Sequence, residues 1–316
     1  MTLTGRLRDR LRSPQWLPIG IHCPQTLVRV ILVTDAQRVD VTLRNVVAAL
    51  DPLTIALPAL PELEAADDDE PYLEFVDEAR DFVLGRLSLK RVDTLRLANT
   101  DVAFFHVRSG ADYCRPWPER ALVSTIRKAR RAPAQSAGLQ MPPEAVERLL
   151  VFYLCPRPVV LVSACEGREG NLFPMDLIGP LGEGRLTLAL RNTSPSVVTM
   201  KRIRTLVLSD ISPDECQTAY RLGAHHKAAA IDWEALPFAV NRTASSDIPY
   251  PAIALRVREL ALLDHATKGS HTFFMTEIIA EHALSPGPRL FHTTTSHQRY
   301  RQRCGAPLQS ASPKGR

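Results

Sequence analysis

The chain has 316 residues, 39 Lys+Arg against 34 Asp+Glu, and is 45% hydrophobic with 23% charged residues; this suits about two packed domains and excludes wholesale disorder. The net charge of +5 is mild and comes from patches at both termini and at Arg127-Lys128-Arg130-Arg131, without the aromatic-interleaved basic stripe of a nucleic-acid binder. The longest apolar neighbourhood, 149–165, is broken by Pro156, Arg157 and Pro158, so no run of ~20 apolar residues offers a membrane span.

In chain order, Arg6, Arg8, Arg10 and Arg12 are followed by Pro14 and Pro18, where a secretory signal would need an apolar region. A short solvated helix carrying Leu3, Leu7 and Leu11 is expected there, and a cytoplasmic location. The cysteines (Cys23, Cys114, Cys155, Cys165, Cys216, Cys304) are scattered without a CxxC and read as reduced thiols. His22-Cys23 has no second pair at ligand spacing, so no metal site is expected. Residues 27–33 and 39–47, rich in β-branched side chains, predict strands. After the acidic run Asp67-Asp68-Asp69-Glu70, Pro71 predicts the start of a helix whose Leu73, Val76, Arg80, Val83 and Leu87 share one stripe. A strand fits 102–107, and a basic helix follows Pro118 through Leu122 and Ile126. Residues 1–140 therefore read as an α+β domain with no chemical motif. The Pro- and Gly-rich stretch 131–143 marks the division, placed near residue 140.

The second half is strand-dominated, with 158–163, a Gly turn at 166–170, an alternating run at 186–190, and 273–279. The run 253–258 also alternates and slips phase at Glu259, as a bulge would make it do. Short strands with few helical inserts suggest a small barrel, and no period of 20–50 residues repeats. GxSxG, HExxH and GxxxxGK[ST] are all missing, and Gly179, Gly182 and Gly184 read as a turn between strands. His225-His226 would point to opposite faces of an extended chain and so cannot share an ion. The segment 191–202 stands out. Ser194 is suited to cap a helix and Pro195 to begin it, with Arg191, Thr193, Ser196 and Thr199 close to the helix start. Taken alone, the segment fits either a phosphate site or an ordinary capped helix.

From about Leu149 to Tyr300 the chain resembles the flavin reductase-like family of FMN-binding split barrels. Pro156-Arg157-Pro158-Val159-Val160 resembles that family's opening strand, and Asn171-Leu172-Phe173-Pro174-Met175-Asp176 its "N-x-x-P-x-S". Thr199-Met200-Lys201-Arg202-Ile203 is similar to its "T-x-x-N-I", Gly269-Ser270-His271 to its "G-D-H", and Pro288–His292 with Tyr300 to its closing strand and tail. Asp176, Arg202 and Ser270 depart from the usual residues. The resemblance implies a split β-barrel over 141–303, a basic and disordered tail at 304–316, and a mainly β, α+β chain overall. It also implies a homodimer with FMN (or FAD) in a groove at the interface. The phosphate would rest near Arg191, Thr193, Ser194, Ser196 and Thr199, and the ring along Asn171, Leu172, Phe173, Pro174, Met175 and Asp176. NADH or NADPH would pass hydride to the flavin, with His271 orienting the nicotinamide side, and an acceptor protein would take the electrons. The implied activity is an NAD(P)H-dependent flavin reductase. Two readings remain beside it: a non-catalytic FMN- or ligand-binding barrel with a regulatory first domain, and a pyridoxamine-phosphate oxidase-like or haem-handling barrel.

Overall fold

Runs of β-branched and aromatic residues build two antiparallel sheets of seven strands each. The computed structural model describes residues 16–22, 27–60, 70–115, 134–136, 139–167, 169–182 and 184–308. The first sheet holds β1 (Val28–Val33), β2 (Arg38–Asp40), β3 (Val46–Leu50), β4 (Leu53–Pro58), β5 (Tyr72–Asp77), β6 (Phe82–Leu97) and β7 (Thr100–Asp112). The second holds β8 (Val160–Glu166), β9 (Glu169–Met175), β10 (Ile178–Pro180), β11 (Arg185–Arg191), β12 (Thr205–Ile211), β13 (Ala254–Lys268) and β14 (His271–Ala283). Helices α1 (Pro143–Phe152), α2 (Ser196–Arg202), α3 (Cys216–Leu222) and α4 (Thr295–Arg303) connect or flank them. The strand orders are β2-β1-β5-β6-β7-β4-β3 and β9-β8-β12-β13-β14-β11-β10, the same permutation twice. The fold is mostly β, in two seven-stranded sheets of the same strand order.

The helix expected from Pro71 is a β-hairpin. Its supposed stripe is made of cross-strand partners, Leu73 opposite Leu87 and Val76 opposite Val83, with Arg80 in the turn. A hairpin centred on that turn reproduces helical spacing by mirror pairing. Glu74, which alternation alone would expose, is buried and tied to Arg38 (2.7 Å) and Arg86 (2.6 Å). The strand expected over 39–47 is cut in two at Thr42, whose N–H and hydroxyl both donate to Asp40 Oδ1. From 16 to 115 the described residues are strands and turns, without a helix. The expected helices around Leu7 and Leu122 lie outside the described residues, as does Cys23. The slip at Glu259 is a bulge between Glu259 and Leu260 in the pairing of β13 with β14. Residues 304–308, expected in a loose tail, are held: Leu308 is buried and its backbone exchanges bonds with the Gln298 amide.

One hydrophobic core runs through both sheets. Phe104 of β7 meets Phe273 of β14 edge to face at 5.5 Å. Lys268 lies over the Phe104 ring at 4.1 Å and pairs with Asp93 at 2.5 Å. Arg157, buried over the Phe152 ring, donates to the carbonyl and side-chain oxygens of Asn45 in the first half. Strand Trp16–Ile21 pairs with Arg289–Thr294, bringing the two ends of the chain together. The described cysteines are all free, and no helix among the described residues is long and apolar enough to cross a membrane.

Candidate functional site

The register of β11 with β14 sets Arg191 opposite His271. Asn192 then closes this corner: its Nδ2 donates to Gly269 O (2.9 Å), its backbone N–H to Ser270 O (3.0 Å), and its Oδ1 accepts from Thr272 (3.0 Å). β9 joins from the other side, where Asn171 Nδ2 donates to Ser196 Oγ at 3.0 Å. Asn171, Arg191, Ser194, Ser196 and His271 are thus gathered around one end of the barrel. Leu172, Phe173 and Met175 face the core and Pro174 is half-buried. Thr193 is exposed, and Thr199 sits half-buried one turn along α2.

Ser194 does not cap α2. Its hydroxyl donates to His226 O at 3.2 Å, Pro195 occupies the cap without a side-chain bond, and the N–H groups of Val197 and Val198 turn back to Ser194 O and Pro195 O. The amino end of this seven-residue helix therefore spends its donors within its own turn. The His225-His226 pair is likewise not extended. It lies in a 3-10 turn (Gly223–Lys227), from which His225 Nδ1 donates to Leu172 O (2.7 Å) and His226 Nε2 to Pro174 O (2.8 Å). Both rings therefore reach the same strand, β9, and the two hydrogens of Asn171 Nδ2 are shared among Ser196 Oγ, His225 O and Ala228 O, the carbonyls each at 2.9 Å.

Charge is concentrated on Arg191. Burial lowers the Arg191 guanidinium from its ordinary value, and its charge acts on both His226 and His271. Burial, with Arg191 second, pushes the His271 imidazole down to about 4, while burial holds His226 below its usual range. The Arg191 charge thus acts on two imidazoles held below their ordinary range, and the Asp176 charge opposes it at His226. His271 itself is 1% exposed. Its Nδ1 bonds Ser270 Oγ (2.8 Å), and the Leu50 N–H of the first sheet approaches it at 3.5 Å.

Asp176, the departure beside the expected ring position, is a hydrogen-bonded carboxylate. Burial alone would raise its carboxyl, but His292 Nδ1–H at 3.0 Å and the Tyr153 hydroxyl bring it below the ordinary value. Because a carboxylate only accepts, His292 presents Nδ1–H to it and leaves Nε2 to take the Tyr220 hydroxyl at 2.8 Å. Tyr153, Tyr220 and His292 were not singled out from the sequence, although His292 belonged to the closing-strand motif. Asn171 Oδ1 is buried with no donor among the described residues, an acceptor open to a ligand N–H or hydroxyl. Arg191 fits a phosphate and Asn171 a donor, so the residues present fit a flavin mononucleotide at these two points. A cavity of about 930 Å³ opens elsewhere, at the β8–β9 turn beside Cys165, Arg204 and Trp233, and none of the expected site residues line it.

No family model matches the chain, and no curated protein matches it. Among solved structures it is similar to the Streptomyces globisporus C-1027 NADH:FAD oxidoreductase SgcE6, at 18% identity and a TM-score of 0.43, over 51% of this chain and 94% of that one. It is similar to an FMN-binding protein from Thermus thermophilus at 15% identity and a TM-score of 0.40, over 51% of this chain and 89% of that one. BorF, the flavin reductase component of a bacterial two-component tryptophan halogenase, aligns at 14% identity and a TM-score of 0.41, over 48% of this chain and 92% of that one.

Proposed function

We propose that this chain is an FMN-binding oxidoreductase that reduces flavin with NADH or NADPH. The observation that carries the reading is the convergence of Arg191, Ser196 and Asn171 beside the Gly269-Ser270-His271 turn, with the Arg191 charge acting on both His226 and His271. Arg191 would hold the phosphate by charge-assisted hydrogen bonds. Asn171 would offer Oδ1 to a donor of the bound nucleotide. FMN supplies the two-electron chemistry, so no catalytic triad is needed. His271 is a positioning residue: neutral and buried, it holds the turn against the end of β11 rather than moving a proton at neutral pH. The His292 and Tyr153 hydrogen bonds would hold the Asp176 carboxylate in a fixed orientation beside the site.

A second reading, a flavin-binding barrel without turnover, is favoured by one observation. His225 and His226 occupy the Leu172 and Pro174 carbonyls along the strand where the ring was expected. Titration of desalted protein with FMN and with riboflavin, followed by flavin fluorescence, tests both. Arg191→Ala should weaken FMN binding about 10- to 100-fold, the size of one charged hydrogen bond, and leave riboflavin nearly unchanged. Equal weakening of both would move the phosphate elsewhere. Tight FMN binding without NADH or NADPH oxidation would favour the second reading.

A further inference from the structure

The two sheets agree in more than strand order. Leu53-Thr54-Ile55-Ala56-Leu57 of β4 matches Leu186-Thr187-Leu188-Ala189-Leu190 of β11, and the registers coincide. Ala56 faces Phe104 and Leu57 faces Ala103; Ala189 faces Phe273 and Leu190 faces Thr272. At the other end Val28 faces Asp77 as Val160 faces Asp210, and both aspartates are buried and paired with arginines. Each long strand, β6 and β13, has two register shifts three residues apart, after Ser88 and Arg91 and after Glu259 and Leu262, the second pair lying two residues short of strict equivalence. The equivalent residues Phe104 and Phe273 also touch each other. Self-contact of equivalent positions is the mark of an isologous interface, the kind two subunits make about a two-fold axis.

We propose that the chain is a fused pair of barrel sheets, in which the first sheet occupies the place of a partner subunit, has given up its own ligand residues, and completes the single site of the second. The equivalences name the losses. Pro58 faces Val102 as Arg191 faces His271, and Leu32 faces Val39 as Ala164 faces Asn171. Arg191, His271 and Asn171 are therefore Pro58, Val102 and Val39 in the first sheet. Each sheet also reaches into the other. The β10–β11 hairpin, through Pro180 and Gly182, lines a cavity of about 710 Å³ with Asp40, Thr42, Arg44 and Leu60 of the first sheet. In return the β3–β4 turn sits on the site: Asp51 N–H donates to Ser270 Oγ (3.0 Å), Ser270 N–H to Asp51 O (2.8 Å), and Leu50 N–H points at His271 Nδ1. A Cβ on Gly269, whose φ is +48°, would collide with Asp51 O.

The fusion stands on register alone; one ligand per chain rests on the flavin reading above. Sedimentation equilibrium of the full chain from about 1 to 100 µM should give 35.1 kDa throughout. A dimer persisting at the lowest concentration would overturn the fusion, whatever binds. The cap is read by NMR titration of the His271 imidazole, which should stay neutral down to about pH 4 in the native chain. In Gly269→Ala, which pushes the turn away, and in Ser270→Ala, which only deletes the shared hydroxyl, the midpoint should rise toward 6.5. Gly223→Ala, with open space at its Cβ, should leave it unmoved. An ordinary His271 midpoint in the native chain, or an unmoved one in both variants, would overturn the capping. Calorimetric titration of the native chain with FMN should give one site per chain, and two sites would overturn the loss in the first sheet. A monomer with a capped His271 and no FMN binding would reject the flavin reading and leave the fusion intact.

Discussion

Asp176 shows how a single half-buried carboxylate is satisfied by residues far apart in the chain. Its partners come from three distant parts of the chain: Tyr153 after α1, His292 near the chain end, and Tyr220 on α3 behind His292. Because the Asp176 carboxyl is held below its ordinary value of 3.8, the pairing stabilises the fold above that value and is lost as pH falls from there through the lowered native value. His292→Gln should therefore lower the urea midpoint at pH 7, and the effect should shrink progressively as pH falls below 3.8. A difference of equal size throughout would mean that His292 acts through packing alone. The residues of this network were the least legible in the sequence. Asp176 drew attention because it broke a motif, whereas nothing local to Tyr153 or Tyr220 signals a bond to a residue far along the chain. Arg191 and His271 were legible because each ends or begins a strand inside a recognisable run.

At the scale of elements, legibility followed the kind of period. Strands β8, β11, β13 and β14 were readable because alternation and β-branching coincide there, and the Glu259 bulge because a phase slip has a local cause. The hairpin of β5 and β6 was not, since mirror pairing about a short turn imitates the 3–4 spacing of a helix. The duplication was missed because equivalent residues lie about 132 to 173 positions apart and share only short runs such as LTIAL and LTLAL. That separation lies far beyond the periods of about 20–50 residues that mark repeat folds. α1 also went unread, although Pro142-Pro143-Glu144 ahead of Val146, Leu149 and Leu150 is a helix opening with a usable stripe. Its seat depends on glycine. A Cβ on Gly85 would stand 2.5 Å from Leu154 Cδ1 and 2.8 Å from Ala111 O, and one on Gly110 would be 3.3 Å from the Arg148 Cα. Gly85→Ala should cost about 1–3 kcal/mol in urea unfolding, the price of overpacking, because backbone on one side cannot yield. An unchanged midpoint would mean that α1 slides over the sheet.

At the scale of the whole molecule, the shared core makes one cooperative unit of both sheets, and buried histidines set where acid undoes it. His271 lies at the junction of the sheets beside Arg191; His297, in α4, faces Arg301 and Asp77. Burial pushes both imidazoles down to about 4, and His226 is lowered as well. In the unfolded chain each titrates near 6.5. Between those values the unfolded chain binds protons that the native one does not, so stability declines as pH falls from about 6.5 to 4. Each histidine contributes on the order of 1.4 kcal/mol per pH unit at most, and below about 4 the decline from this source ends. The carboxylates held low act at more acidic pH, Asp176 and Asp210 below 3.8 and Glu259 below 4.5, so their window meets the histidine window only at its acid end. Urea midpoints at pH 7, 5.5 and 4.5 should drop steadily in the native chain and less steeply in His297→Asn. Tryptophan fluorescence and far-UV circular dichroism should report one coincident transition, since Trp16 packs on Tyr153 in the core that both sheets share. Two transitions would mean that each sheet holds its own stability, and the first would then be an appended domain rather than half of one barrel pair.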